Sequence, residues 1–596
     1  MAYIANLELR QNSKELMPDL LSKRRAGILV GLFCVYSQKS QGIGDFQDLR
    51  LLIDFCHKTG NSLLQLLPMN EVGLTFCPYD ALSSFALEPM YLSLEQFPQI
   101  EKLKKFFSVR NNYVNYSIKE AKIGFLREIF FQKKETACLT EFRQKNEYWL
   151  EDFALYKVLK DYHQGNPWWD WEEKYKHRDP AALKAFSQDH REEIDFQIWL
   201  QWLAFRQFSL AKEYANSKQI LLKGDLPILV SRDSADVWAH PEFFKLEFVA
   251  GAPPDMYCAK GQRWGMPTYN WPAIEADNWR YLKEKLHYAE NFYDLLRIDH
   301  VVGLFRIWTI PYNEPPETHG LNGFFDPADE TKWEGQGRKI LSVMLKNTRM
   351  CICAEDLGII PEVCPKTLED LRIPGNDVQR WKKDWKLKHD FLLPKDYRFL
   401  SVAMLSTHDT TNWPAWWENE AGTVDEALIM QRCNERGIDY HRLKSRLFDA
   451  RRSRHGRLRW REDIDSVKKL VDILGKPKEQ LKDFIEFYEN SYQEKEKLWR
   501  HLGLKGAMRE SCDKEILKAA LKITLDSRAI FCINTLIDWL FLADIFKGDA
   551  YQYRINTPGT ISRRNWSLLI PISLEELLNH KIVKEIKKMV ESSGRI

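Results

Sequence analysis

The feature that most constrains this chain is a recurrence of short apolar runs, several of which end in an acid. Candidate strands centre near residues 28, 63, 221, 295, 351, 378, 402 and 530, with helix-period segments between most of them. Eight such strands joined by crossover helices predict a parallel sheet closed on itself, an α/β fold of the (β/α)8 TIM-barrel type. In such a barrel the loops after the C-terminal ends of the strands build the site. Asp225, Asp299, Glu355 and Asp409 each lie at that end of their run, which a random scatter of acids would not do.

The run Leu295-Leu296-Arg297-Ile298-Asp299-His300 shows the pattern best. A period of two puts Arg297 and Asp299 on one face of the strand. A guanidinium there keeps the carboxylate ionised and fixes its rotamer, as a nucleophile or charge stabiliser requires. Taken alone, the pair reads equally as a structural ion pair at a strand end. Glu355 follows mostly apolar residues and precedes Asp356, surroundings that raise a carboxyl pKa and suit a proton donor. Asp409 adjoins His408 and suits hydrogen bonding to sugar hydroxyls and to an oxocarbenium-like transition state. Acids converging on one mouth point either to metal ligation or to glycosyl transfer. Retaining transfer needs an attacking carboxylate and a protonated partner roughly 5 Å apart. A two-metal hydrolase would want His and Asp clusters of HxH or HxxxD spacing at the strand ends, and these are missing. His300 and His408 are single, each beside an Asp, which suits hydrogen bonding to sugar or protein better than ligation. Walker loop, GxGxxG and Ser elbow are all absent.

The intervals between strands set the organisation. Residues 1–596 read as a single catalytic unit, and 44% hydrophobic residues allow a core of ample size. Residues 70–206 break the strand–helix rhythm and read as a mainly helical insertion. Residues 240–275 form a Gly/Pro/Trp-rich loop, of a length that is usually functional. Residues 416–525 read as a charged helical insertion, whose basic run from Arg442 to Arg461 is a solvated helix face or a site for an anionic partner. The formal net charge of +3 gives no global field toward nucleic acid or a membrane surface. The eleven cysteines are scattered without a CxxC pair. Cys351 and Cys353 read as core filler, a usage suited to a reducing compartment. The N-terminus shows no basic-then-apolar leader, and the longest apolar run, near residues 26–36, is too short to span a bilayer. A cytoplasmic protein is the expectation. The 21 Trp, 23 Tyr and 32 Phe suit a large core, with some rings left to stack on sugars.

Nine segments, in order along nearly the whole chain, carry a resemblance. They are GIGDFQDL (from Gly42), LLQLLPMN (from Leu63), PYDALSSFALEP (from Pro78), GDLPILV (from Gly224) and GAPPDMYCAKGQRWGMPTYNW (from Gly251). RIDH (from Arg297), AEDLG (from Ala354), THDT (from Thr407) and RINTPGT with a later NW (from Arg554 and Asn565) complete the set. In these motifs the chain resembles the amylomaltases, the 4-alpha-glucanotransferases of glycoside hydrolase family 77. The resemblance implies an alpha-amylase-like barrel without a C-terminal beta domain, and no cofactor or metal. It implies Asp299 as nucleophile, Glu355 as acid/base and Asp409 as transition-state stabiliser. Arg297, His408, Tyr79, Asp225 and His300 would surround the sugar. Gln262 and Trp264 would belong to a loop that covers the glucan and favours a sugar acceptor over water. The implied partners are maltooligosaccharides, glycogen or starch-like alpha-glucans, and glucose as acceptor. Cys77 stands where the family usually has Ser. The length between Asp409 and the last strand is closer to the plant-type disproportionating enzymes. An alpha-glucan hydrolase and a catalytically inert glycan-binding protein are the competing readings.

Overall fold

The computed structural model describes residues 20–106, 112–131, 137–255, 259–385 and 387–595. The N-terminal stretch read as leaderless lies outside these residues, as do residues 256–258 of the expected loop. All eight candidate strands form: β1 (Arg25–Val30), β2 (Leu63–Leu66), β3 (Leu221–Leu226), β4 (Leu295–Ile298), β5 (Cys351–Ala354), β6 (Gly375–Val378), β7 (Ser401–Met404) and β8 (Phe531–Thr535). They make one parallel sheet with spatial order β5-β4-β3-β2-β1-β8-β7-β6. That order is the chain order read around a ring, with β8 returning beside β1. The strands are short and almost wholly buried, because both faces are covered, the inner by barrel side chains and the outer by helices.

Crossover helices α1 (Asp48–Lys58), α2 (Arg191–Ser217), α3 (Arg280–Ala289), α4 (Trp333–Lys346), α5 (Val363–Asp370) and α6 (Lys514–Asp526) supply that outer cover. α1 starts three residues after Asp45, and its N-cap position is Gln47. The Asp45 carboxylate nevertheless accepts the backbone N–H of Gln47 at 2.9 Å and of Asp48 at 3.1 Å, so it caps the turn that leads in. Among the described residues between β6 and β7 there is no α-helix. Two 3-10 turns, Gln379–Trp381 and Pro394–Asp396, and a two-stranded hairpin, Lys383–Asp384 with Asp390–Phe391, fill the interval.

The ring closes between β5 and β6 by a different means. The Ala354 N–H donates to Pro374 O at 2.8 Å. Beyond it the side chains of Asp356, Asp377 and Arg398 replace a strand ladder. Asp356 accepts the Asn376 N–H at 2.6 Å and Arg398 Nη1 at 2.5 Å, while Arg398 Nε donates to Asp377 at 2.9 Å. A Cβ on Gly375 would lie 2.5 Å from the Asp356 carboxylate, so this joint needs glycine there.

Two expectations change. Residues 240–275 are not one irregular loop. Phe248–Ala252 and Gln262–Arg263 are antiparallel strands of a four-stranded sheet that continues through Ile307–Pro311 and Phe324–Asp326. The basic run 442–461 is not one helix face either. Its helix ends at Leu447, and Arg457–Arg459 form a strand against Thr423–Asp425. Arg459 is buried and donates to Ala421 O at 3.0 Å, and Arg452 is paired with Glu462 and Glu510. This segment between β7 and β8 has an apolar cluster of its own, including Leu443, Leu447, Trp460, Phe484 and Tyr488. Trp413, Trp416 and Trp417 are buried where the segment leaves the barrel. Among the described residues no helix is long and apolar enough to cross a membrane.

Candidate active site

The mouth of the barrel is built first from strand register. Asp225 on β3 lies opposite Arg297 on β4, and neighbours in a parallel sheet present side chains to the same face. Arg297 Nη1 accordingly meets Asp225 at 2.6 Å, and it reaches Asp299, just past the strand end, at 2.9 Å. The Tyr79 hydroxyl, arriving on the loop after β2, donates to the second oxygen of Asp225 at 2.8 Å. Burial pushes the Tyr79 phenol well above its ordinary pKa, aided by Asp225, so it stays a donor. Asp225 therefore takes a cation and a phenol and holds Arg297 in place beneath Asp299.

Glu355 follows β5 directly. The chain after β4 makes its socket. His300 sits in the left-handed region (φ 43°) before a 3-10 turn, Val301–Leu304, and the turn points its backbone N–H at Glu355 Oε2, 2.8 Å away. Leu357 N–H donates to Oε1 at 2.9 Å. A Cβ on Gly303 would lie 2.8 Å from Ile228 Cδ1 and 2.9 Å from His300 Cδ2, so glycine lets the turn pack this closely. The His300 ring meets the edge of Trp264, with centroids 4.9 Å apart and planes at 87°. Trp264 Nε1 donates to Gln262 at 3.1 Å. The strand-like piece from 240–275 thus brings both residues to the Glu355 side of the mouth.

Asp409 comes from the loop after β7. Asn556 Nδ2 donates to its Oδ1 at 2.7 Å, and His408 Nε2 lies 3.4 Å from Oδ2. Arg554 Nη2 donates to the Asp409 backbone carbonyl at 3.3 Å. Tyr79 and His408 stack at 5.1 Å, and Trp566 leans on both, at 5.6 and 5.8 Å. Tyr79 therefore joins the Asp225 side of the mouth to the Asp409 side.

The three acids have different ionisation. Burial raises Asp299 to about 6, against the opposing pull of Arg297. The guanidinium lowers this pKa, as the sequence implied, but does not outweigh the loss of water. Burial raises Glu355 further, to about 8, with the Asp299 and Asp356 charges adding to it and Arg297 and the His300 N–H opposing. Burial also works to raise Asp409, yet His408 and the Asn556 amide hold it down at about 2. Near neutral pH the site therefore holds a protonated Glu355 beside ionised Asp299 and Asp409. His300 falls to about 4 through burial and the nearby Arg297 and Arg306 charges, so its imidazole is neutral. His408 is also penalised by burial, but its contact with Asp409 raises it overall. Asp299 keeps 22% of its side chain accessible and Asp409 keeps 45%, because both face the open mouth.

All ten residues singled out in the sequence lie at this mouth: Asp299, Glu355, Asp409, Arg297, His408, Tyr79, Asp225, Gln262, Trp264 and His300. Asn556, Arg554 and Trp566 join them from the chain after β8. In the sequence they stand only inside the motifs RINTPGT and NW. The strand-end rule could not find them, since they lie about twenty residues or more past β8, where no periodicity points to the mouth.

Sequence comparison decides the family. A family model described as 4-alpha-glucanotransferase, glycoside hydrolase family 77, matches residues 30–573. The chain belongs to that family. Its activity is accordingly 4-alpha-glucan transfer, and its substrates are alpha-1,4-glucans. A 4-alpha-glucanotransferase of Chlamydia pneumoniae is 34% identical over 93% of this chain and 93% of its own length. One from Oryza sativa subsp. japonica is 24% identical, covering 96% of this chain and 70% of its own. One from Aquifex aeolicus is 33% identical but covers only 66% of this chain, and 81% of its own. Among solved structures, amylomaltase from Streptococcus agalactiae in complex with acarbose superposes with a TM-score of 0.71 at 22% identity, covering 96% of this chain and all (100%) of that one. At that identity the likeness speaks for the fold. The family assignment rests on sequence.

Proposed function

We propose that this 4-alpha-glucanotransferase works by retaining double displacement, with Asp299 as nucleophile, Glu355 as acid/base and Asp409 as transition-state stabiliser. The observation that carries the assignment is the separation in ionisation among three carboxyls at one mouth. The group that must donate a proton is held above neutral pH. The two that must be charged are held below it.

In the first step the Asp299 carboxylate attacks the anomeric carbon and Glu355 gives its proton to the departing glycosidic oxygen. A sugar ester on Asp299 and a shortened glucan result. Asp409 stays ionised against the positive charge that builds on the ring, and Asn556 and His408 hold it in place. Glu355, now a carboxylate, then takes the proton of the acceptor's 4-hydroxyl. That oxygen attacks the same carbon from the opposite face, frees Asp299 and restores the alpha configuration. Arg297 keeps Asp299 oriented throughout. Trp264 and Gln262 shield the ester so that a bound sugar hydroxyl, rather than water, meets it. Maltooligosaccharides serve as donors, and glucose, glycogen or starch-like glucans as acceptors.

Incubation with maltotriose tests the reading. Transfer yields free glucose together with a ladder of longer glucans, while total reducing ends stay constant. A steady rise in reducing ends without a ladder would identify a hydrolase instead.

A further inference from the structure

The segment between β7 and β8 reaches back to the catalytic mouth through one exposed turn. Arg454-His455-Gly456-Arg457 is a tight hairpin turn, closed by the Arg457 N–H to Arg454 O at 2.9 Å. Its central residues His455 and Gly456 both have positive φ, 54° and 70°, the pattern of a type I′ turn. A non-glycine residue in that region is disfavoured, histidine less than most. The turn is also anchored from behind, where Glu426 N–H donates to Gly456 O at 2.9 Å. What the turn presents is an imidazole ring lying flat on Tyr551, with centroids 4.0 Å apart and planes 4° apart. His455 Nε2 also lies 3.4 Å from Asp549 Oδ2.

Tyr551 belongs to the loop after β8, and contacts run on from it toward the mouth. Its hydroxyl accepts Arg554 Nη1 at 3.5 Å. Arg554 Nε donates to the Asn556 carbonyl at 3.2 Å, and its Nη2 donates to the Asp409 carbonyl at 3.3 Å. Asn556 in turn holds the Asp409 carboxylate. The backbone on either side of Tyr551 is fixed separately, by Asn412 Nδ2 donating to Ala550 O at 2.8 Å and to Tyr553 O at 3.2 Å. The outward-facing ring of Tyr551 is covered by His455.

We infer that His455 is a positioning residue for the transfer reaction. By clamping Tyr551 it holds Arg554 and Asn556 where they fix Asp409, and so couples the helix-rich segment between β7 and β8 to the acid that faces the transition state. His455 touches no sugar. Its effect falls on the rate of the chemical steps rather than on glucan binding. The inference rests on the reading of Asp409 as a transition-state stabiliser.

The test is disproportionation of maltotriose by the full-length protein, with kcat and KM measured separately. His455→Asn keeps a residue that tolerates positive φ and removes the stacking ring. Its kcat is expected to fall about tenfold with KM nearly unchanged, a change of about 1.4 kcal/mol in the barrier. His455→Phe, which restores a flat ring, is expected to recover most of that loss. Tyr551→Leu should lower kcat to a similar degree, and the double variant His455→Asn with Tyr551→Leu should be little worse than either alone, since both act through one contact. Asp409→Asn separates the two readings. If it retains parental activity, the role given to Asp409 is wrong. If it is inactive while His455→Asn keeps parental kcat, or the two single losses multiply, or Phe fails to rescue, the clamp itself is refuted.

Discussion

On the β3–β5 side of the mouth, Asp225, Arg297 and Glu355 lie on strands or one residue beyond them, and Asp299 follows Ile298 at once. Their mutual placement is a consequence of sheet register and of a turn that points a backbone N–H at Glu355. On the β7–β8 side, Asp409 lies five residues past its strand and depends on Asn556 and Arg554, which come from a loop some twenty residues past β8. The first side is rigid by construction and largely buried. The second is assembled from loops, and its acid is half open to solvent. On the proposed roles, the enzyme places the bond-making groups on its strand framework and the charge-stabilising group on its loops.

The contrast can be tested at graded cost. Asp299→Ala removes the proposed nucleophile and should lower the disproportionation rate about ten-thousandfold or more, read as glucose release from maltotriose. Glu355→Gln should lower it about a hundred- to ten-thousandfold. It should lose far less on alpha-glucosyl fluoride, whose leaving group needs no proton, so comparing the two donors checks the role. Asn556→Ala takes away one charge-assisted hydrogen bond on the adjustable side and should cost about tenfold to a hundredfold in kcat. An effect as large as that of Asp299→Ala would erase the distinction between the two sides. Trp264→Ala should change the total rate least. It should raise the fraction of sugar ester lost to water about threefold, seen as extra reducing ends.

The pH profile sharpens the same comparison. With the proposed roles, deprotonation of Asp299 should switch activity on as pH rises through about 6, and deprotonation of Glu355 should switch it off above about 8. A bell-shaped kcat/KM should follow, with both limbs belonging to the β3–β5 side as a coupled pair. Asp409, at about 2, contributes no limb in the working range. In Glu355→Gln, assayed on the fluoride donor, the alkaline limb should disappear while the acid limb remains.

The same division governs what could be read from the residues. Strand-end acids such as Asp225 and Asp299 follow from apolar runs of fixed length, because a parallel barrel strand is buried on both faces. Most of the strands were legible for that reason, whereas the one near Val378, Gly375-Asn376-Asp377-Val378, gave only a weak signal because two of its four residues are polar. The cluster around Asp409 was only half legible. His408 and Asp409 are adjacent in sequence, but Asn556 meets them through a loop path that no local pattern encodes. The strands Phe248–Ala252 and Gln262–Arg263 were hidden by glycine and proline. A Cβ on Gly251 would lie 2.1 Å from Gln262 O, so a residue that looks like a loop signal is what lets those strands pair. The basic run misled because composition alone does not tell a solvated helix from a strand whose arginine is tucked under a neighbouring turn.

The joint between β5 and β6 carries a last consequence. Seven of the barrel's eight junctions are stitched by backbone ladders, whereas this one is fastened mainly by a guanidinium between two carboxylates, like a buckle on a hoop. Arg398 keeps 37% of its side chain exposed while Asp356 and Asp377 are almost fully covered. Ions and denaturant can therefore reach the fastener before they reach the rest of the ring. Amide exchange should begin at Asn376, whose N–H is held by Asp356 rather than by a strand. Glu355 stands between Ala354 and Asp356, both part of this joint, so the earliest loosening of the barrel would reach the proposed proton donor first.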